Sequence, residues 1–96
     1  MLVLITYDVN TENSEGRKRL LKIAKECVNY GVRVQNSVFE CVLDAGQCKK
    51  LVHTLTKIID QKKDSLRIYY LGKKETARIE VYGCKKPVDV TEPLIF

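Results

Sequence analysis

Val32-Arg33-Val34-Gln35-Asn36-Ser37-Val38-Phe39-Glu40-Cys41-Val42-Leu43 is extended by composition, with Val32, Val34, Val38, Phe39, Val42 and Leu43 as β-formers and polar residues between them. Alternation sends Arg33, Gln35, Ser37, Phe39 and Cys41 to one side and Val34, Asn36, Val38, Glu40 and Val42 to the other. The run is longer than an ordinary strand, which leaves two readings: one long bent strand, or a tight hairpin folding near Gln35 to Ser37. No Asn-Gly dipeptide settles it. The choice sets how many strands lie between the two flanking helices, and with it the topology. Arg33, Gln35, Ser37 and Phe39 combine a cation, two hydrogen-bonding groups and an aromatic ring, which can hold sugar-phosphate or lock a partner subunit.

Upstream, Leu20, Ile23, Ala24 and Cys27 recur at helical spacing and predict a helix from about Ser14 to Tyr30, with Gly31 as its left-handed stop. Its exposed side carries Arg17, Lys18, Arg19, Lys22 and Lys25. Three of these cations crowd the amino-terminal half, where the helix dipole disfavours them; a bound phosphate makes that clustering tolerable. Before the helix, Leu2 to Asp8 reads as an apolar strand that ends in a carboxylate. Asp8 has two readings. It can cap or turn the chain, since Asp, Asn and Thr crowd positions 8 to 14, or it can hold a hard cation such as Mg²⁺, which often takes only one or two carboxylates.

Downstream, Cys48, Leu51, Val52, Leu55, Ile58 and Ile59 form the apolar stripe of a second helix from roughly Ala45 to Gln61. Lys49, His53 and Lys57 occupy its opposite face, where a lone His without an Asp, Cys or Ser partner reads as a solvated surface residue. A strand from Leu66 to Leu71 then leads, through a short link, into a second from Arg78 to Gly83. Residues 1–83 therefore make the domain. Residues 84–96 make a tail, whose closing Pro93-Leu94-Ile95-Phe96 reads as a short edge strand docking on this subunit or another.

The chain has 96 residues and a formal charge of +5, which suits one domain with polyanions as partners and a shallow or shared site. No apolar run is long enough to span a membrane, so a soluble, cytoplasmic protein is expected. The four cysteines stand at wide, irregular spacings without a CxxC pair, which argues against zinc and against a disulfide framework. Helices with one apolar face each, and strands before, between and after them, indicate an α+β sandwich with both helices on one side of the sheet. The strands carry apolar residues on both faces, so a homodimer with sheets face to face is expected. A two-fold axis near the end of the first strand would bring two Asp8 carboxylates together, and a divalent cation relieves their repulsion.

The Val3 to Asp8 strand with Tyr7-Asp8, the basic helix with Arg17 and Arg19, the Arg33 to Glu40 run, Asp64-Ser65-Leu66-Arg67 and the Pro93 to Phe96 end resemble, in order and spacing, the small CRISPR-associated spacer-acquisition protein that partners the CRISPR integrase. The resemblance implies a ferredoxin-like βαββαβ fold with an extra C-terminal strand, a symmetric homodimer, and the hairpin reading of Val32 to Leu43. It also implies a Mg²⁺-dependent endonuclease acting on RNA or DNA, with Asp8 as the catalytic and metal residue at the dimer interface. Arg17, Arg19 and Arg33 become candidates for nucleic-acid contact, and Tyr7, Gln35, Ser37 and Phe39 for interface or support. The competing reading is a non-catalytic DNA-binding scaffold that bridges integrase subunits. A splicing-type RNA-binding module is poorly supported, because its aromatic-rich strand signature is absent.

Overall fold

The Val32 to Leu43 run folds as a hairpin: β2 (Gly31–Gln35) and β3 (Val38–Val42) are joined through Asn36 and Ser37. No residue in the turn has positive φ, which is why no Asn-Gly signal marks it in the sequence. A bulge at Val34 breaks the register between Arg33↔Phe39 and Gln35↔Val38. Phe39 and Val38 point to opposite faces, so the bulge carries Gln35 to the face opposite Arg33. The expected grouping of Arg33, Gln35 and Phe39 on one face is corrected accordingly: strict alternation holds only where pairing is regular.

The computed structural model describes residues 1–72 and 77–84. Around the hairpin lie β1 (Leu2–Asp8), α1 (Ser14–Val28), α2 (Ala45–Ile58), β4 (Ser65–Tyr70) and β5 (Arg78–Gly83). The strands form one antiparallel sheet in the order β2-β3-β1-β4-β5. This is the ferredoxin-like βαββαβ arrangement with β5 added beside β4. The expected docking strand near Pro93 to Phe96 lies outside the described residues.

Alternation along β1 sends Val3, Ile5 and Tyr7 into the core, where they meet Phe39 and Cys41 of β3 and Leu66, Ile68 and Tyr70 of β4. The helices cover this face with Ile23 and Cys27 of α1 and Cys48, Leu51 and Leu55 of α2. Burial pushes the Cys27 thiol up to about 12 and that of Cys41 up to about 11, so both act as small hydrophobes. Among the described residues the opposite face carries no helix. Val32, Val42 and Ile79 stand there at 69, 76 and 52% exposure, an apolar surface of the kind that marks an interaction site.

Both helix starts are capped by side chains. Asn13 Oδ1 accepts from the Gly16 N–H at 2.9 Å, and Asp44 with Gln47 closes a capping box at the start of α2. The ends differ from expectation. α1 stops at Val28 with Asn29 still right-handed, and Gly31 is not a left-handed stop. Gly31 instead opens β2, where a Cβ would collide with the Glu40 carbonyl and the Cys41 sulfur.

Candidate metal and nucleic-acid site

Asp8 is the last residue of β1 and still pairs in register, opposite Ser65. Beyond it, Asn10 Oδ1 accepts from the Glu12 N–H at 3.0 Å and Asn13 caps α1. Asp8 shares its parity along β1 with Leu2, Leu4 and Thr6, and so belongs to the helix-free face. There a shallow hollow of about 210 Å³ is lined by Thr6, Tyr7, Asp8, Ser65, Arg67 and Tyr69. Asp8 brings one carboxylate to this hollow, beside the hydroxyl-bearing Thr6, Ser65 and Tyr69 and the cationic Arg67, and a hard cation often takes only one or two carboxylates while keeping part of its hydration shell. Among the described residues no three His, Cys, Asp or Glu side chains gather as a ready-made metal cage. The hollow as one chain forms it contains a single carboxylate, that of Asp8.

The other residues expected at the site divide between two places. Tyr7 turns into the core, stacks on Phe39 with ring centroids 6.3 Å apart, and donates its hydroxyl to the Asn36 carbonyl at 3.4 Å. Arg33 lies over the Phe39 ring, its Cζ 5.2 Å from the centroid. Burial raises the Tyr7 hydroxyl pKa, and Arg33 beside it acts in the lowering direction. Ser37 joins through its backbone, its carbonyl accepting from the Tyr7 N–H at 3.1 Å. Tyr7, Arg33, Ser37 and Phe39 thus form a brace that ties the hairpin to β1 on the helix side, while Asp8 projects from the other face.

Arg19 points inward. Its Nε and Nη2 donate to the two carboxylate oxygens of Asp64, at 2.7 and 3.2 Å. The Asp64 side chain is 0% exposed and that of Arg19 is 17%. Backbone N–H groups of Asn10 and Asp60 complete the Asp64 shell at 3.0 and 2.8 Å. Burial drives the Asp64 pKa upward, but the Arg19 and backbone hydrogen bonds outweigh it and hold the carboxyl below its ordinary value. Gly83, at φ 85°, lets β5 pass the Asp64 carbonyl, which accepts from the Cys84 N–H at 2.7 Å. This knot fixes the segments just after Asp8 and just before Ser65. Arg17, by contrast, is exposed, donates to the Thr11 carbonyl at 3.3 Å, and shares α1's outer surface with Lys18, Lys22 and Lys25.

Sequence reasoning did not single out Thr6, Ser65 or Arg67. The period-two pattern of β4 carried a signal, because Ser65, Arg67 and Tyr69 alternate with the core residues Leu66, Ile68 and Tyr70. Only strand pairing, which sets Ser65 against Asp8 and Arg67 against Thr6, reveals that they share a hollow. A larger cleft of about 460 Å³ lies between α2 and β5 and holds none of the expected site residues. His53 lines it as an exposed surface residue, and Glu80 within it already accepts from Tyr82 at 2.7 Å.

Residues 1–79 match the protein family described as CRISPR associated protein Cas2. The chain is 56% identical over 96 residues to the CRISPR-associated endonuclease Cas2 of Halalkalibacterium halodurans, covering 100% of both chains. It is 55% identical over 95 residues to the CRISPR-associated endoribonuclease Cas2 of Chlorobaculum tepidum, covering 99% of each. Among solved structures, Streptococcus pyogenes Cas2 at pH 6.5 superposes with a TM-score of 0.71 at 59% identity, covering 77% of this chain and 89% of that one. A hypothetical protein from Thermus thermophilus superposes with a TM-score of 0.65 at 35% identity, covering 74% and 80%.

Proposed function

Because the chain belongs to the Cas2 family of CRISPR-associated proteins, we propose that it is a CRISPR-adaptation endonuclease that hydrolyses phosphodiesters in RNA or DNA as a homodimer, with Asp8 of each subunit at the reaction centre. The observation that carries this reading is the placement of Asp8: an exposed carboxylate at the end of β1, on the helix-free apolar face, with hydroxyls beside it. That face needs a cover, and a second copy supplies both the cover and a second carboxylate. Asp8 and its partner copy would hold Mg²⁺. Bound there, Mg²⁺ supplies charge neutralisation at the scissile phosphate and a more acidic water. The chain's own residues do the rest. Arg17 with Lys18, Lys22 and Lys25 tracks the phosphate backbone without reading bases, while Tyr7, Arg33, Ser37 and Phe39 brace the hairpin next to β1. Gln35, on the helix-free face, would meet the second subunit there. The CRISPR integrase is the protein partner of the assembly.

A scaffold role without chemistry is the second reading. It is favoured by the single carboxylate per subunit in the hollow and by the basic outer surface of α1. One experiment separates the two: wild type and Asp8→Ala, each repurified to homogeneity, against labelled RNA and duplex DNA with and without Mg²⁺. The endonuclease reading expects cleavage by wild type with Mg²⁺ only, and none by a folded, dimeric Asp8→Ala. Equal activity of the two proteins overturns it. An Asp8→Ala that cuts nothing yet supports integrase assembly and spacer capture assigns the adaptation role to the scaffold.

A further inference from the structure

Arg67 stands where an arginine is expensive. The row that crosses the sheet at this residue runs from Val38 on β3 through Thr6 on β1 to Val81 on β5, and the adjacent row carries Leu4, Tyr69 and Ile79. Arg67 is half-buried and takes part in neither of the ion pairs seen among the described residues, Arg19–Asp64 and Arg78–Glu80. A second subunit laid over this face would bury the charge further, which is strongly unfavourable unless an anion accompanies it; Asp8 lines the same hollow, and with that carboxylate given to Mg²⁺, as proposed above, the anion left to Arg67 is the phosphate of the substrate. The hollow it lines also contains Asp8, Thr6 and Ser65; Arg67 faces Thr6 across the β1–β4 pair, two residues along from the Asp8–Ser65 pairing.

The geometry points to Arg67 as the phosphate anchor of this hollow: its guanidinium grips the non-bridging oxygens of the phosphodiester whose hydrolysis Asp8 serves. This rests on the reading of Asp8 as the reaction centre. In that hydrolysis a water oxygen bonds to phosphorus as the bond to the leaving ester oxygen breaks; the water gives up a proton to solvent and the leaving oxygen gains one. Negative charge on the non-bridging oxygens needs most support between those two events, and two parallel N–H groups of a guanidinium fit them as a point charge does not. Thr6 and Ser65 add hydroxyls along the same wall. Arg67 therefore accelerates the chemical step more than it strengthens binding.

The test uses the full chain as wild type, Arg67→Gln and Arg67→Lys, with labelled RNA and duplex DNA in Mg²⁺. Arg67→Gln is expected to lose about 100-fold in kcat, the size of effect seen when one transition-state donor is removed, with KM rising only a few-fold. Arg67→Lys is expected to recover part of that loss, because it restores charge without the fork. In EDTA, where no cleavage intrudes, Arg67→Gln is expected to reduce the salt dependence of duplex binding by about one phosphate contact, a slope change of roughly 0.9. A different result overturns the proposal: Arg67→Gln shifts the monomer–dimer midpoint while the rate per dimer and the salt slope stay at wild-type values. If wild type itself cuts nothing, the endonuclease reading falls separately, and the slope in EDTA then decides for the anchor if it drops and against it if it does not.

Discussion

Asp64 shows what one buried carboxylate does for a site it does not enter. It accepts from Arg19, Asn10 and Asp60, and so pins the chain just beyond Asp8 to the start of β4. Asp64→Asn removes the charge that Arg19 faces, and breaking a buried pair this way is expected to destabilise the fold by about 3 kcal/mol, read as a lower urea midpoint. The pH dependence follows from the direction of the shift. The folded Asp64 pKa lies below its ordinary value of 3.8, so its contribution is fully present above that value and is lost as pH falls through the lowered folded pKa. The difference in urea midpoint between wild type and Asp64→Asn is therefore expected to be constant from neutral pH to about pH 5 and to shrink below pH 4. A gap that widens on acidification would contradict this account. The same bond gives Arg19 an inward task, unlike the outward-facing Arg17 with which the sequence groups it.

At the scale of elements, the helices follow their caps and the hairpin follows its contacts. Asn13→Ala removes the oxygen that accepts from the Gly16 N–H and is expected to cost about 1 kcal/mol, with Asn13→Ser recovering most of it in thermal melts. The hairpin has no cap of this kind. β2 is held by Gly31, which admits β3 closely, and by Arg33 lying over Phe39 next to Tyr7. Bending the Val34 bulge costs one ladder pairing and moves Gln35 to the helix-free face. No alternation pattern announces such a bulge, because Val34 fits the alternating run as a β-former and the extra residue is visible only against the partner strand.

For the whole molecule, the sheet face that no helix covers among the described residues is the feature with the largest consequence. Val42, at 76% exposure, pairs with Leu2 on this face, so Val42→Lys places a charge in the proposed subunit contact without disturbing the core. It is expected to shift the protein toward monomer in light scattering across a dilution series, with the thermal unfolding of the monomer little changed. A dimer that persists at all concentrations would move the interface to another face. The +5 charge of each chain would double in the proposed dimer, and duplex binding is expected to weaken steeply with salt.

Much of this protein was legible in its residues alone: the two amphipathic helices, the apolar β1 ending in Asp8, the β4–β5 hairpin strands, the basic side of α1 and the burial of Cys27 and Cys48. Period and local chemistry suffice for these, because a helix or strand buries one face of its own side chains whatever it packs against. Tertiary structure decided the rest. It turned Arg19 onto Asp64, moved Gln35 across the sheet, and brought Ser65 and Arg67 of β4 beside Asp8 and Thr6 of β1. Most of these relations join segments far apart in the chain, such as Arg19 and Asp64 at a separation of 45 and Asn10 and Asp64 at 54. Strand order and register, not local sequence, determine which of them meet.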